Sequence, residues 1–310
     1  RAAAAIGKPV VPFNCEGFRG VSQSAGHHVG NITLFEQVIG TRDPGEPGPY
    51  DINLIGEYNI RGDIWNIEPL FDHRGLGLTI KSRFTGNASF DELPVLHGAR
   101  LNVLQCHRSS AYVGDLLKEK YGIPYLDVSL FGIEQTNKAL REVAAFFGLE
   151  AKAEEVIGRE TAAIAPEIAF YREKLEGKRV AIYQGGPRTW HWVRLMEELG
   201  MEVVVAATTF GHADDYEKIH QRVKDGTLII DAPNALEIEE FLREFKVDLF
   251  VSGIKEKYLS LKLGVPFVNG HSYEDGAYAG YRGFVTFARD MYKTVCSPVW
   301  KLVRQPFGEV

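Results

Sequence analysis

Lys178-Arg179-Val180-Ala181-Ile182-Tyr183 is a short apolar run that passes through Gln184-Gly185-Gly186-Pro187-Arg188 into a helical pattern ending at Leu199. A second apolar run follows at Met201 to Ala207. Strand, helix and strand in about 30 residues make one complete βαβ unit, whose two strands must run parallel. The alternation continues outward on both sides. Downstream, strands are expected near 228–230, 249–251 and 266–268, with a helix at about 281–295. Upstream lie a strand at 51–55, a helix at 63–73, strands at 78–83 and 100–105, a helix at 109–121, a strand at 125–128, and a helical stretch over 134–176 broken near Gly148 and Gly158. Nearest the start, 8–13 reads as a strand, 15–20 as a Gly-containing turn and 22–38 as a helix. The fold class is therefore α/β, with consecutive Rossmann-like parallel-sheet domains. The Gly/Pro-rich run 40–49 is the strongest boundary, and a further unit opens at Gly177, giving domains 1–48, 49–176 and 177–310.

Composition narrows the function classes. Over 310 residues, 45% hydrophobic and 25% charged content is that of a soluble globular chain with ample length for a core. A net charge of -6 argues against a nucleic-acid surface, which needs clustered Lys and Arg. Apolar stretches such as 203–207 fall far short of the ~20 residues of a membrane helix. Cys15, Cys106 and Cys296 are too widely separated for a disulfide framework or a CxxC zinc knuckle, so a reducing cytoplasm is expected. The chain opens Arg1-Ala2-Ala3-Ala4-Ala5-Ile6, without an initiator Met or the apolar core of a signal peptide, as expected of a segment that starts within a longer protein.

Open parallel sheets bind ligands in the crevice beyond the carboxyl ends of their strands. Two donors stand at such ends: Cys106 after Leu101-Asn102-Val103-Leu104-Gln105, and His271 after Val265-Pro266-Phe267-Val268-Asn269-Gly270. A soft sulfur with a borderline nitrogen suits iron, zinc or copper. Read alone, Cys106 serves equally as a small buried hydrophobe. It nevertheless opens a helix with Arg108 and Ser109 following, a setting that favours the thiolate a metal requires. His271 reads as a ligand or as a loop imidazole bonded to backbone. His27 and His28 are adjacent on a helix and diverge by about 100°, so one faces a site and the other packs elsewhere. Gln23 and His27, four apart, share a helical face.

Gly185-Gly186 matches neither GxGxxG nor the Walker pattern, yet it exposes backbone N–H groups to an anion, with Arg188 adding positive charge. Lys255 follows a strand end and reaches either the same crevice or solvent. Trp190-His191-Trp192 reads as packing, and Asp214 and Asp215, after Phe210-Gly211-His212, suit a helix N-terminus. No hydrolase elbow and no HExxH occurs.

The segment Cys15-Glu16-Gly17-Phe18-Arg19-Gly20-Val21-Ser22-Gln23-Ser24-Ala25-Gly26-His27-His28 is similar to the signature of the nitrogenase component 1 α subunits, and the resemblance runs over nearly the whole chain. It implies an iron–sulfur cluster with a heterometal and homocitrate in the crevice between the Rossmann-like domains. Cys106, within Leu104-Gln105-Cys106-His107-Arg108-Ser109, would be the single thiolate on the terminal iron. His271, within Gly270-His271-Ser272-Tyr273, would bind the heterometal at the opposite end. By the same resemblance His27 hydrogen-bonds a cluster sulfide and relays protons, Gln23 and Lys255 meet homocitrate, Gly185, Gly186 and Arg188 line the sulfides, and Phe210 packs close by. Arg108 and Ser109 complete the cofactor-binding set.

Residues 186–192 and 210–212 look like the vanadium and iron-only branches, whereas 254–258 and His271-Ser272 look like the molybdenum branch. Molybdenum is expected, with vanadium or iron as alternatives. The eight-iron relay cluster of the family has its ligands in an N-terminal third with no counterpart here, and Cys15 does not match one. Related cofactor-assembly scaffolds share Ala277-Tyr278-Ala279-Gly280-Tyr281 and Ser297-Pro298-Val299-Trp300 but typically lack matches to His27 and His271. The implied function is reduction of N2 to ammonia within an α2β2 heterotetramer with a β-type subunit, served by an ATP-dependent iron protein and by cofactor-assembly proteins. An assembly scaffold and a reductase of another substrate are the alternatives.

Overall fold

The computed structural model describes residues 1–14, 23–273 and 275–302, without the side chains of Gln23 and Ser24. Cys15, the turn expected at 15–20 and the helix start at Ser22 lie outside the described residues.

In chain order the elements are α1 (Ala2–Ile6), α2 (Gln23–Gln37), β1 (Asp51–Ile55), α3 (Asp63–Phe71), β2 (Thr79–Phe84), β3 (Leu101–Leu104), α4 (His107–Tyr121), β4 (Tyr125–Asp127), α5 (Ile133–Phe147) and α6 (Glu150–Leu175). There follow β5 (Arg179–Gly185), α7 (Gly186–Glu198), β6 (Glu202–Thr209), α8 (Ala213–His220), β7 (Leu228–Asp231), α9 (Ala235–Phe245), β8 (Leu249–Ser252), α10 (Lys257–Lys262), β9 (Phe267–Asn269) and α11 (Gly280–Val295). Two expectations fail. Residues 8–13 form no strand, because Pro9 and Pro12 each remove a ladder donor. Gly158 does not break α6; the break falls at Gly148, which is left-handed at φ 69.

The chain divides into two compact units, one of residues 1–59, 68–129 and 138–153, the other of 60–67, 130–137 and 154–310. The first holds an all-parallel sheet ordered β2-β1-β3-β4. Every residue of β1 and β3 is buried, as expected for parallel strands covered on both faces. Phe35, Val38 and Ile39 after and within α2 pack with Ile55, Phe84, Leu104, Val113 and Leu117 as its core.

The second unit carries a parallel sheet ordered β7-β6-β5-β8-β9. Ala181, Val205 and Phe250 pack there with Ile238, Phe241 and Leu242 of α9. Both sheets reverse their strand order once, between β1 and β3 in the first and between β5 and β8 in the second. Ligands of open α/β sheets bind beyond the carboxyl ends of strands at such reversals. Among the described residues, no helix is long and apolar enough to cross a membrane.

Candidate functional site

In the first unit, Cys106 occupies the N-cap of α4 with extended backbone, and its carbonyl accepts from Ser110 N–H at 3.1 Å. The side chain is half-buried. The strand end beneath it is fixed by Gln105 N–H donating to the Ile55 carbonyl at 2.9 Å. Gly56 follows β1 and backs directly onto this turn: a Cβ there would stand 2.5 Å from Ser110 Oγ and 3.1 Å from Cys106 N.

Tyr58 comes two residues later, and no sequence motif pointed to it. Its ring lies 4.7 Å from that of His27. Burial, more than any neighbour, pushes its phenol up to about 12; Ser109 opposes this and the Cys106 charge adds to it. Tyr58 thus joins His27, Cys106 and Ser109 into one cluster beside the β1–β3 reversal. The signal that could have found it is the one that singled out Cys106, its place just past a strand's carboxyl end.

Two hydrogen bonds tie α2 to the start of α4. His28 Nε2 meets the Arg108 carbonyl at 2.6 Å, and Asn31 Nδ2 donates to the Ser109 carbonyl at 3.0 Å. Of the two adjacent histidines, His28 is therefore the one that packs, with its ring stacked 6.0 Å from Tyr112. His27 stands on the exposed side of the helix. Partial burial, then the charge of His28, hold its imidazole below the ordinary value, so at neutral pH the ring is uncharged and can offer one N–H. The Gln23 side chain lies outside the described residues.

In the second unit, Gly185 is the N-cap of α7 and Gly186 its first residue. The two glycines differ in function. A Cβ at Gly185 would have only Thr209 O within 4.0 Å, whereas one at Gly186 would stand 2.4 Å from Asp215 Oδ2. Asp215 in turn accepts from His212 N–H at 3.0 Å and caps α8. Gly186 is required by the packing of α8 against this turn, which the anion reading of the sequence did not anticipate.

Arg188 donates through one terminal nitrogen to the Gly270 carbonyl at 2.8 Å and lies 5.7 Å from the centre of the Tyr273 ring. His271 follows β9; its backbone N–H donates to Asn269 Oδ1 at 3.1 Å. Burial, then the Arg188 charge, lower its basicity, leaving the neutral ring that a metal binds. Lys255 stands exposed in a short 3-10 turn after β8. Phe210, 60% exposed at the end of β6, holds a left-handed φ of 54 that a bulky side chain rarely adopts. Such strain collects at functional sites.

Asp63 is a second residue that sequence reasoning missed. Its Oδ1 accepts from the N–H groups of Tyr278 (2.7 Å) and Ala279 (2.8 Å), and Arg61 Nε donates to the Tyr273 carbonyl at 2.7 Å. Burial raises the Asp63 carboxyl to about 6 despite those bonds. Together these residues fix the segment that carries His271.

Among the described residues, no group of three or more His, Cys, Asp or Glu side chains could hold a metal ion. Cys106 in the first unit and His271 in the second each offer a single donor, short of the four ligands of a structural zinc. A single donor fits a group that brings its own bridging sulfides, as an iron–sulfur cluster does.

The family of "Nitrogenase component 1 type Oxidoreductase" matches residues 1–296. A nitrogenase molybdenum-iron protein alpha chain from Methanothermobacter marburgensis is 49% identical over 299 residues, covering 96% of this chain and 63% of that protein. A nitrogenase iron-molybdenum cofactor biosynthesis protein, NifE, from Methanococcus maripaludis is 39% identical over 308 residues, covering 98% of this chain and 64% of that one. The chain thus spans a little under two thirds of the length of these relatives. The solved structure "Nitrogenase Cp1 at pH 6.5" superposes with a TM-score of 0.89 at 32% identity, covering 98% of this chain and 69% of the other.

Proposed function

This chain belongs to the nitrogenase component 1 type oxidoreductase family, and from that premise we propose that it is the catalytic α-type subunit of a nitrogenase, reducing N2 to ammonia. The observation that carries the reading is the pair of donors Cys106 and His271, accompanied by His27, since scaffolds of this family typically lack matches to both histidines. In this reading Cys106 would supply a thiolate to an iron and His271 an imidazole to the heterometal of an iron–sulfur cluster. The cluster, when bound, supplies irons that take up electrons and bind the small unsaturated substrate.

The protein's own groups do the rest. Gly185 would leave backbone open toward the cluster's sulfides, Arg188 would add positive charge, and Phe210 would pack close by. Gln23 and Lys255 hold homocitrate. His27, neutral and packed against the Tyr58 ring, would take a proton from solvent on one ring nitrogen as it releases the proton held on the other.

The heterometal is molybdenum in this proposal, supported by residues 254–258, by His271-Ser272 and by the 49% identical molybdenum-iron relative. A β-type subunit in an α2β2 assembly, an ATP-dependent iron protein and cofactor-assembly proteins complete the system, in the cytoplasm. The 39% identity to a cofactor biosynthesis protein favours a second reading, an assembly scaffold that passes its cluster on. Anaerobic purification of the complex with counting of Fe, Mo and V, followed by N2 and acetylene reduction assays, separates the two. A catalytic subunit retains its cluster and reduces both substrates. A cluster that transfers to another protein, with no reduction, would establish the scaffold instead.

A further inference from the structure

Gln184, near the carboxyl end of β5, takes no part in the roles above. The residue is 1% exposed, and among the described residues neither Oε1 nor Nε2 has a hydrogen-bond partner. A buried orphan amide needs an explanation, because sheet interiors select against unpaired polar groups. What Gln184 touches is Gly270, the residue before His271. A Cβ on Gly270 would stand 2.6 Å from Gln184 Nε2, 2.9 Å from its Cδ and 3.0 Å from Val251 Cγ1.

Gly270 is held from three sides. Its N–H donates to the Ser252 carbonyl at 2.9 Å, its carbonyl accepts from Arg188 at 2.8 Å, and its Cα rests on the Gln184 carboxamide. The first two contacts fix the peptide groups on either side, and the third fixes how deep the loop sits over β5 and β8. His271 leaves the backbone one residue later, with Gly253 close behind its ring, where a Cβ would lie 3.2 Å from His271 Cδ2.

We propose that Gln184 is a positioning residue for His271, acting through Gly270: the carboxamide and the bare Cα form a matched pair that sets where the imidazole emerges. Side-chain volume at 184 and the absence of a Cβ at 270 are two halves of one device. The proposal rests on His271 being a metal ligand. A residue that orients a ligand is typically worth about tenfold or more in metal retention.

The test uses the anaerobically purified complex in four forms: unaltered, Gly270→Ala, Gln184→Ala, and both together. Gly270→Ala should lower heterometal per complex about tenfold and change the EPR line shape of whatever cluster remains. Adding Gln184→Ala, which vacates the space the new methyl needs, should restore both readouts, and Gln184→Ala alone should alter the EPR line shape with little change in thermal unfolding. If Gln184→Ala leaves the EPR spectrum unaltered and fails to rescue Gly270→Ala, the proposal is overturned. Should Gly270→Ala not fold alone, the double variant and Gln184→Ala still decide the matter. If the unaltered complex holds no cluster, the functional reading fails rather than this one. The pair is then read in the isotope-labelled, metal-free complex from the NMR signal of the His271 ring, identified by its loss in His271→Gln. Gly270→Ala should displace that signal and the double variant should return it; an immobile signal sinks the pair.

Discussion

The imidazole Nε2 of His28 lies 2.6 Å from the carbonyl oxygen of Arg108, so its N–H donates there and fastens α2 to the first turn of α4, next to Cys106. Replacing His28 by Phe keeps a ring against Tyr112 but removes the bond. One such hydrogen bond contributes about 1 kcal/mol net. His28→Phe should lower the urea unfolding free energy by that amount. A variant as stable as the parent would show that the α2–α4 join rests on Asn31 and apolar packing alone.

The neighbouring cluster makes a contrasting prediction. Among the described residues Cys106 caps α4 without a side-chain hydrogen bond, and it is only half-buried, so Cys106→Ala should cost less than about 1 kcal/mol while abolishing cluster retention. His27 is exposed, and His27→Gln should keep the metal content yet slow substrate reduction by about 10²-fold, the usual worth of a positioned proton donor. Iron and heterometal counts alongside ammonia formation read both variants. Full N2 reduction by His27→Gln would contradict its role in proton delivery.

These sites were unequally visible in the sequence. The α/β alternation is legible because β1, β3 and β8 are buried at every residue and therefore appear as short, mainly apolar runs interrupted by Asp51, Asn53, Asn102 and Ser252. Cys106 and His271 stand out because each chemically distinctive side chain follows such a run. Tyr58 follows β1 in the same way, but a phenol carries no metal-ligand signature. Asp63 holds backbone groups 215 and 216 residues away, a pairing that no local pattern encodes. Gln184 is hidden for a different reason: a glutamine at a strand end reads as solvent-facing, and only the folded sheet closes Gly270 over it.

Glu198 gives the chain a pH dependence. Its carboxylate accepts from the N–H groups of Ile133 (2.8 Å) and Glu134 (3.4 Å) at the start of α5, yet burial outweighs both bonds and pushes its pKa up to about 7. The folded state therefore holds this proton more tightly than the unfolded chain does. Its contribution is full below the ordinary glutamate value and fades as pH rises through about 7. A displacement of that size is worth up to about 3 kcal/mol. Glu198→Gln, which keeps an acceptor for Ile133 and cannot ionise, should match the parent near pH 4 and exceed it in unfolding free energy by about 2 kcal/mol at pH 8. Equal pH profiles for the two proteins would rule out Glu198 as the titrating group.

The two adjacent glycines at the start of α7 should separate on substitution. At Gly186 a methyl would drive the Asp215 carboxylate, itself 1% exposed, from its place and leave the His212 N–H at the start of α8 without its acceptor. Overpacking and an orphaned donor together cost about 2–4 kcal/mol. At Gly185 the backbone is extended with φ −65, a conformation open to alanine, and among the described residues beyond its chain neighbours the new methyl would meet only Thr209 O, at 4.0 Å. Gly185→Ala should therefore unfold within about 0.5 kcal/mol of the parent. If Gly185 leaves backbone open for the cluster, its methyl instead projects into that space, and metal content falls while stability holds. Thermal unfolding of the metal-free protein and metal counts on the complex read the two effects independently. Equal stability losses at both positions would mean that the turn is packed on both sides and has no face left for a ligand.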